Sequence, residues 1–304
     1  MVMAAIRPRL SGPLNHRVLN QRMMTRRSLA ALALTAFSEA QESPVDFLCP
    51  MDPDVHSKTP GKCPRCGMKL EAGLPEPVEY PMQLAMQPKA PMAGQAAVLE
   101  LRVFEPVKRQ PVTQFLEIHE KLFHLFVISA DLRFFIHEHP VLQAGGMFRL
   151  EQAFPMAGEY RLLADFFPQG GTPQLISRSF FVRGDRQPVK PLELDLSPQQ
   201  GSNIKVELVT EPAQPLAGKK TLLFFKLSPH EGLEPLLGAW GHLLAASSDL
   251  IDLIHGHPEF PEAGPQIQFN VIFPRPGLHR VWVQFQRAGV VNTVAFNVLV
   301  TELR

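Results

Sequence analysis

Two stretches of this 304-residue chain are copies of each other. Residues 124–140 read HLFVISADLRFFIHEHP and residues 242–258 read HLLAASSDLIDLIHGHP. His124/His242, Leu125/Leu243, Ser129/Ser247, Asp131/Asp249, Leu132/Leu250, Ile136/Ile254, His137/His255, His139/His257 and Pro140/Pro258 are identical. Downstream the match continues with a one-residue shift. Phe154-Pro155 and Gly158 answer Phe273-Pro274 and Gly277, and Asp165-Phe166 answers Gln284-Phe285. The period of about 118 residues is that of a whole domain, not of a solenoid unit. Two related domains plus a smaller extra segment are therefore predicted, which the chain length also suits.

Each copy breaks into short apolar runs punctuated by turn residues, and the chain holds 30 prolines without strong helical periodicity. The predicted strands of the first copy are 80–86, 97–104, 112–118, 122–128, 133–139, 147–154, 159–166 and 175–182. Those of the second are 203–210, 220–227, 242–247, 250–257, 266–273, 278–286 and 291–300. Seven or eight strands per copy predict a mainly β protein, with two tandem Ig-like antiparallel β-sandwiches at 76–185 and 202–304. Residues 186–201, with Pro188, Pro191 and Pro198, read as the connection.

The three cysteines, Cys49, Cys63 and Cys66, all fall in one segment, FLCPMDPDVHSKTPGKCPRCGMKLE at 47–71. An odd number cannot close a disulfide framework, and their clustering favours a metal site. Cys63-Pro64-Arg65-Cys66 is a turn that points two thiolates at one ion, and Cys49 returns as a third. Thiolates suit zinc and Cu(I). Met51 and Met68 add thioethers, and His56 or Asp52 is the candidate fourth ligand. The competing reading is a Cys63–Cys66 redox disulfide.

This segment, predicted as a unit at 41–75, resembles the small heavy-metal-binding domain attached to copper-efflux adaptors and P-type metal ATPases. The matching residues are Cys49-Pro50-Met51, Pro53, Pro60-Gly61, Cys63-Pro64, Cys66-Gly67-Met68 and Leu70. The resemblance implies metal binding by Cys49, Cys63 and Cys66. Asp52 stands where the family commonly has His. Residues 72–95 read as a linker entering a first strand. Met82, Met86 and Met92 are spaced through it, either as strand packing or as a relay for Cu(I).

Histidines mark the repeats. If Ser129-Ala130-Asp131-Leu132 is a hairpin turn with Ala130 and Asp131 central, His124 lies opposite His137, and His139 shares their face. The same turn opposes His242 to His255, with His257 alongside. Three imidazoles with an open position suit a zinc or copper ion. Phe126 and Phe135 share this face in the first copy, as do Trp240, Leu244 and Leu253 in the second. The alternative is a set of core-edge histidines held by hydrogen bonds. The repeats resemble uncharacterised exported bacterial domains that follow the heavy-metal motif. Their pattern is met by His119-Glu120-Lys121, His124-Leu125, Asp131-Leu132 and His137 to Pro140. The second copy keeps Gly241-His242-Leu243 but has no counterpart to His119. This resemblance, over about residues 95–300, implies the fold and no established activity.

Charge separates the N-terminus from the rest. Residues 1–40 hold six arginines and one acid, Glu39, leaving 24 basic against 28 acidic residues beyond them. That balance offers no nucleic-acid surface. Arg26-Arg27, the apolar run Leu29 to Phe37 and Ser38-Glu39-Ala40 read as an export signal with a loosely twin-arginine start. The run is too short to span a bilayer. The sequence thus predicts an exported, periplasmic or extracellular protein that binds copper or zinc, with metal ions and envelope efflux components as partners and no membrane span in the mature chain. Two alternatives stand beside it: a zinc enzyme built on a three-histidine site, and a purely structural pair of Ig-like modules. The enzyme reading is the weaker, because only Asp131, Asp249 and Glu138 supply acid or base groups near the histidines.

Overall fold

A computed structural model describes residues 46–49, 55–73, 78–185, 188, 191–258 and 264–302. The export signal, Met51 and Asp52 lie outside these residues. The small N-terminal unit has strands β1 (Asp46–Leu48), β2 (His56–Ser57) and β3 (Glu71–Gly73), with β1 in the middle. Leu48 pairs with His56 on one side and with Glu71 on the other.

The first repeat comprises β4 (Met82–Gln87), β5 (Ala96–Val103), β6 (Phe115–Leu116), β7 (Phe123–Ser129), β8 (Phe135–Glu138), β9 (Val141–Gln143), β10 (Met147–Ala153), β11 (Gly158–Pro168) and β12 (Gln174–Val182). One sheet runs β4-β5-β10-β9, the other β12-β11-β7-β8 with β6 beside β11. The second repeat comprises β13 (Gln199–Gln200), β14 (Lys205–Glu211), β15 (Lys220–Ser228), β16 (Leu233–Glu234), β17 (His242–Ser247), β18 (Leu253–Gly256), β19 (Gln266–Ile272), β20 (Gly277–Arg287) and β21 (Val290–Val300). Its sheets run β13-β14-β15-β19 and β16-β20-β17-β18, with β21 on β20. Apart from β9 and β13, every strand of one repeat has its counterpart in the other. Both repeats are antiparallel β-sandwiches, and the described residues contain no helix.

Alternation builds the outer sheets. In β5, Ala97, Leu99, Leu101 and Val103 point into the core while their neighbours are partly exposed, and β14 behaves likewise. Met82 belongs to that core and Met86 packs against it, whereas Met92 is exposed. β7 and β17 differ, being buried at every position. One face of β7 presents Phe123, Leu125 and Val127 to its own sandwich core. The other presents Phe126 and Ile128 to a separate apolar cluster, completed by Leu132 and Leu163 of the same repeat and by Leu244, Ala246, Leu250 and Trp282 of the second. Equivalent positions meet there: Phe126 and Leu244, Leu132 and Leu250, Leu163 and Trp282. Phe135 stacks on Trp282 at 5.2 Å. The two sandwiches thus join through the same face of each.

The β7–β8 hairpin corrects the predicted register. His137 pairs with Phe126, and Val127 with Ile136. His255 likewise pairs with Leu244 rather than with His242. The reason is the loop, which has four residues between Ser129 and Phe134 instead of two. The Ser129 hydroxyl donates to Asp131 and accepts the Phe134 N–H at 3.0 Å, while the Arg133 N–H donates to Asp131 at 3.2 Å. Leu132 adopts a left-handed φ of 58° and Leu250 one of 60°. That conformation is costly for a leucine. It sends both side chains into the apolar contact between the repeats. The slip is two residues, an even number, so every side chain keeps its predicted face.

Candidate metal centres

In the N-terminal unit, Cys63 opens a tight knuckle. The Gly67 N–H donates to the Cys63 carbonyl at 2.9 Å, with Gly67 at a φ of +77° that favours glycine. Chain reversal aims the N–H groups of Arg65 and Cys66 at the Cys63 sulfur, at 3.4 and 3.5 Å. Such N–H donors stabilise a thiolate. Cys49, at the end of β1, brings its Sγ to 3.3 Å from that of Cys66. The three sulfurs lie within 4.8 Å of one another, and no disulfide joins them. Cys49 and Cys63 are buried with Leu70 beneath them, while Cys66 is exposed. His56 is not drawn into the group. It lies in β2, exposed, and lines a cavity with Val78, Tyr80 and Glu105. Met68 is 41% exposed, and its carbonyl accepts the Cys63 N–H at 2.7 Å.

The first His triad is ordered by its outer contacts. His124 on β7 donates its Nε2–H to the Ile118 carbonyl at 2.8 Å, leaving a lone pair on Nδ1. His137 on β8 donates its Nδ1–H to the Gln284 amide oxygen at 3.0 Å, leaving a lone pair on Nε2. These two lone-pair nitrogens face each other at 3.1 Å, and His139 Nε2 lies 3.2 Å from His124 Nδ1. With these tautomers, no proton bridges His124 and His137, and the paired lone pairs make a site that could hold a cation. Metal-bound histidines are braced in this way, through the second ring nitrogen.

The second triad repeats the arrangement. His242 on β17 donates its Nε2–H to the Leu236 carbonyl at 2.9 Å, and His255 on β18 donates its Nδ1–H to Asp165 at 2.7 Å. His242 Nδ1, His255 Nε2 and His257 Nε2 are buried without a hydrogen-bond partner among the described residues. Each triad offers three nitrogens within 4.8 Å of one another.

Burial, reinforced by neighbouring imidazoles, favours the neutral form of His124, His137, His139, His242 and His257. It pushes His139 down to about 3, His242 to about 4 and His257 to about 2, and lowers His124 and His137 as well. Neutral imidazole is the metal-binding form.

The triads are not separate. His242 lies 5.1 Å from His137 and 6.0 Å from His124, ring centre to ring centre. His119 stacks on His257 at 3.7 Å. Three participants were not assigned a role by sequence reasoning: His119, Asp165 and Gln284. The available signal was the repeat alignment, in which Asp165 answers Gln284 one strand away from the histidines.

A family model described as a domain of unknown function, DUF8832, matches residues 78–182 and again 199–302. A second, described as a heavy metal binding domain, matches residues 47–72. No curated protein matches the chain. Among solved structures, the Escherichia coli adhesin FdeC is 11% identical over 77% of this chain and 71% of that chain, with a TM-score of 0.26. The FN1–FN3 domains of chicken CNTN1 are 8% identical over 80% of this chain and 76% of theirs, with a TM-score of 0.21. A Ca2+-stabilized adhesin of an Antarctic bacterium is 8% identical over 75% of this chain, which spans 49% of it, with a TM-score of 0.24.

Proposed function

The chain belongs to the DUF8832 family, with a heavy metal binding domain ahead of its two repeats, and from that premise we propose that it is an exported protein that binds copper or zinc in the cell envelope. The observation that carries this reading is the pair of lone-pair nitrogens on His124 and His137, 3.1 Å apart in a buried site and matched by unpartnered nitrogens in the second repeat. Cys49, Cys63 and Cys66 hold one ion, which Cu(I) or zinc suits by softness. Each His triad holds another, which Cu(II) or zinc suits. The Asp165 carboxylate accepts the His255 Nδ1–H and orients that ring as a ligand. Export is supported by the basic and apolar pattern of residues 1–40, and among the described residues no helix is long and apolar enough to cross a membrane. Handling or resistance, with envelope efflux components receiving the ion, is the role we infer for the heavy metal binding domain.

Metal analysis of the full chain tests the reading. Cys63→Ser with Cys66→Ser should remove one equivalent of Cu(I) or zinc. His137→Ala with His139→Ala should remove one equivalent of Cu(II) or zinc. Full metal content in a folded His137/His139 variant sinks the role of the triads, and full content in the cysteine variant sinks that of the thiolates.

A further inference from the structure

We propose that the two His triads form a single two-ion centre between the sandwiches, in which each ion is held by one repeat and its ligands are oriented by the other. This rests on the reading of the triads as metal sites. Proximity is the first support. The rings of His124 and His137 lie 6.2 and 6.4 Å from His255, in addition to their approach to His242. An ion sits ~2.0–2.1 Å from its donor nitrogen, so ions in the two triads lie on the order of 10 Å apart or closer.

Crossed bracing is the second support. His137 belongs to the first repeat but is oriented by Gln284 of the second, and His255 belongs to the second but is oriented by Asp165 of the first. Gln284 is itself held, its amide donating to Thr293 at 3.1 Å. Neither triad has this orientation in an isolated sandwich. The two braces also differ in charge. A carboxylate makes its histidine a more basic ligand than a carboxamide does. The His242/His255/His257 site therefore fills first. The positive charge of that ion, so near, opposes the second.

Access is the third support. A cleft of about 190 Å3, lined by Asp165, Gln174, Leu175, His255 and His257, opens onto the second triad. Three nitrogen ligands leave a coordination position there for a small ligand such as water, hydroxide or azide.

The test uses the full chain with Cys49, Cys63 and Cys66 replaced by serine, titrated with Cu(II) and followed by electron paramagnetic resonance. The first equivalent should give the spectrum of an isolated Cu(II). The second should broaden it and bring in the half-field transition of an interacting pair. Asp165→Asn should weaken the first-filled equivalent by about 10–100-fold, although it lies in the other sandwich. Gln284→Ala should do the same to the later one, and serves as the test if the Asp165 variant does not fold. Two equivalents that both give the isolated spectrum overturn the two-ion centre and leave the metal-binding reading standing. Unchanged affinity in both folded brace variants overturns the crossed bracing. No bound copper at all overturns this inference together with the role of the triads.

Discussion

His279 has no exposed surface, and its Nε2 lies 3.9 Å from the Asp252 carboxylate, beyond hydrogen-bonding distance. Its Nδ1–H donates to the Gly277 carbonyl at 3.2 Å, and its ring packs 4.9 Å from Phe273. Burial, the largest effect, holds its pKa below the ordinary 6.5. The unfolded chain therefore takes up the proton before the folded one does. Its contribution is present in full above pH 6.5 and is lost as the pH falls from 6.5 towards the folded pKa. For the metal-free protein we expect the melting temperature to fall on acidification. In His279→Phe that part of the fall should be missing, so the gap between the two proteins changes in the variant's favour from neutral to acidic pH. Thermal melts across that range check it, and a gap independent of pH would count against it. Nothing in the sequence marked His279, since a lone histidine in a strand carries no pattern.

The hairpin is the element that delivers the histidines, and its loop decides the register. Strand positions, the faces they present and the pairing of β7 with β8 were legible from alternation and from the Ser-x-Asp-Leu repeat. The loop length was not, because the choice depends on a left-handed leucine, which sequence rules assign to glycine or asparagine. Leu132 and Leu250 accept that conformation because the apolar contact between the repeats buries them. Ser129→Ala should cost about 0.5–1.5 kcal/mol, since the part-buried Phe134 N–H loses its acceptor. Ser247→Ala should cost a similar amount through the Asp252 N–H. Urea unfolding of the single variants measures both. Values near zero would mean that the loop is held by the buried leucines alone.

At the scale of the molecule, the two sandwiches are joined by one apolar cluster and by the crossed histidine contacts beside it. Trp282→Ala, which removes the partner of Phe135, should cost about 3–5 kcal/mol and weaken the coupling between the repeats. Calorimetry should then resolve two transitions, and one unchanged transition would argue against coupling through this cluster. A chelator should lower the melting temperature of the metal-loaded protein, because an ion at about 100 times its Kd adds about 2.7 kcal/mol to the folded state. An unchanged transition would mean that the ions bind elsewhere or not at all. The sequence by itself determined the repeat, the antiparallel sandwiches, the thiolate cluster and the common face of each His triad. All of these follow from short-range periodicity and from spacings within one hairpin or knuckle. Only the tertiary structure decided that the two triads face each other, and that Asp165 and Gln284 orient histidines of the opposite repeat. Contacts between separately folded sheets leave no period in the chain. Besides the alignment of Asp165 with Gln284, their trace in the sequence is the nearly unbroken apolar run of β7 and β17, whose second face is covered by the other repeat.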